Sequence, residues 1–230
     1  MAAPTPLADV VATTDAVVAT RARSAKVAAL AGLLARLGGD ELPVVVAMLT
    51  GTPRQGRIGV GWRTVAAVEA APAAAPTLTV GDVDRTFDEL AALQGPGSQR
   101  ARADLLSSVL GRATAPEQDL LRRLLVGELR HGALEGLVTD ATAKAFAVPL
   151  AAVRRAAMLA GDLPRVAVIA RDDGEAGLAA VGLTVLRPIQ PMLAQTAPDV
   201  TEALVLATGA KPGDEPRPAS VEWKLDGARI

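Results

Sequence analysis

Aromatic side chains are nearly missing from a chain half of whose 230 residues are hydrophobic: it has two Phe, two Trp and no Tyr. Any core must therefore be built from Ala, Leu and Val. Its Ala and Leu favour closely packed helices, and the aromatic residues that fill sheet faces best are nearly absent. The apolar spacing agrees. Residues 7–37 read as two helices, with Leu30, Leu33, Leu34 and Leu37 in one helical stripe. Asp40 is placed to cap a helix from Leu42 to Leu49 that stops at Gly51, and another helix is expected from Val60 to Glu69. After an Ala-Pro loop at 70–76, helical patterns return at Val83–Leu93 and Gln99–Leu110, separated by Gly95-Pro96-Gly97. Thr114 with Glu117 three residues on forms a capping box for a helix at Pro116–Val126. Further helices fit Leu134–Ala147, Leu150–Leu159 and Leu163–Ala170.

The texture changes near residue 183. Arg187-Pro188-Ile189-Gln190-Pro191-Met192-Leu193 carries prolines that suit an extended linker. A short helix near Val200–Leu206 follows, then a Pro-rich loop at Lys211–Pro218, then strand-like alternation at Ser220–Leu225. The expected organisation is an all-α, multi-helix domain over 1–183, a linker at 184–196, and over 197–230 the start of an α/β unit too small to close its own core.

Several chemistries are excluded. Without cysteine there is no disulfide, no thiol nucleophile and no Cys-zinc site, and the single histidine, His131, rules against a His-based metal site, so no metal ligands are assigned. No apolar run reaches the roughly 18 residues of a membrane span. Pro4, Pro6 and Asp9 stand where a signal peptide would need a basic start and an apolar run. A soluble, cytoplasmic monomer is expected. Charge is uninformative: the net value is −1, and residues 1–190 hold 20 basic and 19 acidic side chains. Arginine outnumbers lysine 20 to four, which suits phosphate forks, but a GC-rich gene would produce the same excess.

Two segments repeat without gaps at an offset of 76 residues. Leu49-Thr50-Gly51-Thr52-Pro53-Arg54-Gln55-Gly56-Arg57-Ile58 aligns on Leu125-Val126-Gly127-Glu128-Leu129-Arg130-His131-Gly132-Ala133-Leu134. Each copy is expected to end one helix at its first glycine and open the next just past its second. A helix N-terminus offers unpaired N–H groups to phosphate, glycine lets the phosphate approach, and arginine supplies a fork. Arg54, Gly56, Arg57, Gly59, Arg130 and Gly132 are thus candidate phosphate-backbone contacts. A duplicated αα-hairpin turn with solvated arginines fits the same pattern. The scarcity of rings disfavours single-strand binding by base stacking, so any nucleic acid should be held as duplex, through backbone and shape.

Glu222-Trp223-Lys224-Leu225-Asp226-Gly227-Ala228-Arg229 fits E-x-K-x-D-G-x-R, the first motif of covalent nucleotidyltransferases. With it, Arg187–Ala194 is similar to the linker signature R-P-[IV]-x-P-M-L-A, while Gly56–Gly61 and Gly127–Val138 match two further segments of the same family. The chain thereby resembles ATP-dependent DNA ligases with an N-terminal helical DNA-binding domain. The resemblance implies that Lys224 attacks the α-phosphate of ATP and releases pyrophosphate, with Mg2+ offsetting the charge. It implies that Glu222 contacts adenine, Arg229 the ribose, that Asp226 helps arrange the lysine, and that Gly227 belongs to the same cofactor site. AMP then passes to a 5′-phosphate at a nick in duplex DNA, which a 3′-hydroxyl seals, in replication, repair or recombination. The later motifs are absent after Ile230, so the chain reads as a fragment of such a ligase, inactive alone. A non-catalytic duplex-binding module and a helical protein-interaction scaffold are the alternatives.

Overall fold

In a computed structural model of the chain, the described residues are 3–56, 58–127, 132–189, 196–210, 214–215 and 217–221. They carry twelve helices and no strand, the only β-type pairing among them being an isolated bridge between Pro6 and Thr79. The all-α reading is correct. The helices are α1 (Leu7–Ala19), α2 (Arg23–Leu34), α3 (Glu41–Leu49), α4 (Trp62–Ala67), α5 (Val80–Ala92), α6 (Ser98–Arg112), α7 (Ala115–Val126), α8 (Gly132–Ala145), α9 (Leu150–Ala160), α10 (Leu163–Asp172), α11 (Gly174–Ala180) and α12 (Val200–Thr208). The chain divides into two compact units, Met1–Gln190 and Pro191–Ile230.

The first unit packs as the composition demands. Its main core is mostly Leu and Val from α1 to α8, joined by Ala157 of α9 and by Leu163 and Ala167 of α10, with Phe87 the one fully buried aromatic ring among the described residues. A smaller cluster of Ala143, Val153, Ala156, Ala160, Val166, Ala170 and Leu178 closes the α8–α11 end. Alanine there lets helix axes approach closely, because burial is gained from backbone and methyl groups rather than from long side chains. α3 is apolar around most of its circumference, with Leu42 and Val44–Leu49 buried; such a helix runs through the core.

Helix ends follow local chemistry, with corrections. The carboxylate of Glu117 accepts from the Thr114 N–H at 2.7 Å and from its hydroxyl at 2.8 Å, the acidic arm of the expected box. Asp40 occupies the cap position of α3 but caps nothing. Its backbone is already helical, and a side chain there cannot reach back to the free N–H groups. Glu41 instead ties the start of α3 to the segments around it, accepting from Gly38 N–H at 3.3 Å, Thr5 N–H at 2.7 Å and the Thr5 hydroxyl at 2.6 Å. A second box, Thr79 with Asp82, opens α5 three residues before the expected Val83. The sequence reading named no helix at α11, where Gly174 turns with a φ of +61° before the chain becomes helical again.

Candidate nucleic-acid interface

The first repeat corner begins where α3 stops. Gly51 takes a φ of +79°, and the Thr52 N–H donates to Ala47 O at 3.1 Å. A turn closed by Gly56 N–H on Pro53 O at 2.8 Å follows. The next helix does not open just past Gly56, as expected, nor at Val60. Gly56 and Gly59 both have positive φ, +67° and +70°, which breaks any helical run, and α4 starts only at Trp62. The second corner behaves as expected where it is described: Gly127 ends α7 with a φ of +71°, and α8 opens at Gly132. The arginines Arg57 and Arg130 lie outside the described residues.

The two corners meet. A cleft of about 560 Å³ has Gly51, Gly56, Gly59 and Gly61 on one wall and Leu124–Gly127 on the other. Four glycines in one wall remove the Cβ atoms that would hold a ligand's backbone away from the main chain. No sequence argument beyond the repeat suggested that segments 76 residues apart would face each other.

Arg54 does not project toward that space as an unpaired cation. Its Nε donates to Asp84 Oδ1 at 2.7 Å, and Nη2 donates to Asp84 Oδ2 at 2.8 Å and to Asp88 Oδ2 at 2.5 Å. The Asp84 hydrogen bond raises the guanidinium above its ordinary value, against the effect of burial. Gln55 Nε2 joins, at 2.8 Å from Asp84 Oδ1 and 2.9 Å from Asp88 Oδ1. The turn is thereby pinned to α5. Two other arginines brace the corner. Arg102 lies under Gly59, its Nη1 donating to Ser98 Oγ at 2.9 Å and its Nη2 to Leu93 O. Arg122 donates to Val65 O at 2.7 Å and Val68 O at 2.9 Å, fixing the end of α4. Both look in sequence like solvated helix arginines, and only the fold reveals their targets.

Residues 67–143 match the family model described as DNA ligase N terminus. A probable DNA ligase of Pseudarthrobacter chlorophenolicus is 52% identical over 224 residues, covering 97% of this chain and 42% of that protein. Probable DNA ligases of Mycolicibacterium gilvum and Nocardia farcinica are 51% and 52% identical, again over 97% of this chain and over 42% and 41% of their own lengths. Nearly the whole of this chain is thus similar to part of a DNA ligase, and residues 67–143 to the DNA ligase N terminus. The chain spans about two fifths of the length of these curated relatives.

The family match covers α5 to α7 and most of α8, including the second corner. Glu222, Lys224, Asp226, Gly227 and Arg229 all lie outside the described residues. Ser220 and Val221, where a strand was expected to begin, have no regular structure, and the rest of that segment is outside the described residues. In the second unit α12 is capped by Asp199, which accepts from Glu202 N–H at 2.8 Å. Among the described residues no group of three or more His, Asp or Glu is placed to hold a metal ion. No helix there is long and apolar enough to cross a membrane.

Proposed function

We propose that the first unit grips nicked duplex DNA by its phosphate backbone, on behalf of an ATP-dependent DNA ligase that seals breaks left by replication, repair and recombination. The observation that carries this reading is the glycine-walled cleft shared by the two repeat corners. Repeated corners suit a repeated ligand, and successive phosphates of a duplex are one. Gly56, Gly59 and Gly132 give close approach, and Arg57 and Arg130 supply the forks. Arg54 shapes the first corner through Asp84 rather than meeting phosphate itself.

In the whole enzyme Lys224 is the nucleophile, as its motif implies. The lysine N–P bond forms as the bond to pyrophosphate breaks, and the amine must be neutral when it attacks. Glu222 and Arg229 orient the nucleotide through adenine and ribose, Asp226 helps set the lysine, and Gly227 belongs to the same cofactor site. Mg2+ supplies charge compensation when bound. Holding the nick against this centre is the task left to the helical unit.

Fluorescence anisotropy with labelled oligonucleotides tests the binding half of this reading. The chain is expected to bind nicked duplexes of unrelated sequence with equal affinity, and single strands much more weakly. Preference for single strands, or for one duplex sequence, contradicts it.

A further inference from the structure

Trp62 is 66% exposed at the first position of α4, in a chain with one other tryptophan. An indole is the largest side chain a protein can present to a ligand, with an apolar body and a polar tip that suit it to interfaces. The support here is rigid. Val65, one turn on, is buried, and Arg122 clamps the carbonyls of Val65 and Val68. The preceding residue, Gly61, lines the cleft between the two corners.

The surrounding charge says what the ligand is. From Leu42 through Val68 the chain has no acidic residue and three arginines, of which Arg54 is paired with Asp84 and Asp88, leaving Arg57 and Arg63 as the cations of the segment. Arg63, the following residue, is exposed and has no ion-pair partner among the described residues. A ring in a segment with the unpaired cation Arg63 and beside a glycine wall matches a polyanion that also has an apolar edge. Duplex DNA offers both, phosphates outside and deoxyribose in the minor-groove wall. We propose that Trp62 is a duplex-contact residue whose indole lies against the sugar edge of the strand held by the corners. This rests on the duplex-binding reading and adds to it an apolar contact that phosphate chemistry does not supply.

An apolar contact releases no counterions, so its loss lowers affinity without changing the salt slope, unlike loss of an arginine. The test uses the 230-residue chain with Trp223→Phe, leaving Trp62 as its one indole, and a nicked duplex whose binding is followed separately by anisotropy. The indole emission is expected to change saturably with duplex and to recover in high salt. Trp62→Ala should weaken binding about tenfold, as expected for one lost ring contact, at an unchanged salt slope and unchanged far-ultraviolet dichroism; Trp62→Phe should retain most of the affinity. An indole that stays silent while anisotropy reports full binding, with Trp62→Ala as tight as the parent, overturns the proposal and leaves duplex binding standing; it would assign the ring to an apolar protein surface. A slope that falls with the alanine change also overturns it. No duplex binding by any version removes both readings.

Discussion

Arg54 and Asp84, thirty residues apart in sequence, meet fork to fork: Nε on Oδ1 at 2.7 Å and Nη2 on Oδ2 at 2.8 Å. Asp88 shares the same guanidinium one turn further along α5. The arginine of the first repeat copy is therefore a brace that ties the glycine turn to a helix. Arg54→Ala leaves Asp84 and Asp88 facing each other with no cation between them. The expected cost is about 1 kcal/mol, the upper end for a partly exposed networked pair, seen as a lower urea midpoint. Arg54→Lys should recover only part, because an ammonium cannot fork. The salt slope of duplex binding should barely move. A slope that drops by one unit with stability intact would make Arg54 a phosphate contact after all.

Gly59 has a φ of +70°, and a Cβ built there would sit 3.1 Å from Arg102 Nη2. Gly59→Ala meets both a left-handed backbone and a braced guanidinium, and should cost about 1–3 kcal/mol. Adding Arg102→Ala relieves only the contact, so the double variant should stay less stable than Arg102→Ala alone. Thermal melts of the four proteins decide this. Equal melting of Gly59→Ala and the parent would mean that the corner re-forms without its glycine.

Acid should weaken the cap of α5. Burial pushes the Asp82 carboxyl up, but hydrogen bonds from Thr79 and the Arg112 guanidinium at 3.1 Å more than offset it, and the group titrates below its ordinary value. A carboxyl with a lowered folded-state value adds stability above its unfolded value and loses it as pH falls through the folded one. The parent should therefore lose stability faster than Asp82→Asn as pH drops from about 5 toward 2. Parallel pH profiles for the two would remove Asp82 from the account.

Most helix ends were legible because glycine and capping pairs act locally. Gly51 and Gly127 stop α3 and α7 where the sequence says they should. The errors have local causes too. Asp82 in place of Glu hid the box that starts α5, and a third glycine with positive φ, Gly59, delayed α4 past the point the repeat implied. What could not be read was tertiary. That Arg54 turns to Asp84, that Arg122 clamps α4, and that the two corners share a cleft all depend on contacts across tens of residues. Composition offered no help, since the net charge of −1 does not tell a paired arginine such as Arg54 from one unpaired among the described residues, such as Arg63.

Lys224 should accept AMP only in a longer polypeptide. Positioning and charge compensation supply much of the rate of phosphoryl-type transfers, and the first motif alone offers the nucleophile without the later carboxylates. With labelled ATP and Mg2+, the 230-residue chain should stay unlabelled. A version extended to the length of its relatives should take up AMP, and Lys224→Ala in that version should not. Label on the alanine variant would move the nucleophile elsewhere, and stable label on the short chain would show that the first motif suffices.

The central claim, that the paired corners hold duplex by its phosphates, is tested most directly by the salt dependence of nicked-duplex affinity in the parent chain, in Arg57→Ala and in Arg130→Ala. Each phosphate contact adds about 0.9 to the slope of log affinity against log salt. Each variant should bind all duplex sequences more weakly by a similar factor, with a slope shallower by roughly one unit. Affinity and slope unchanged in both variants would contradict the account and reduce the corners to turns.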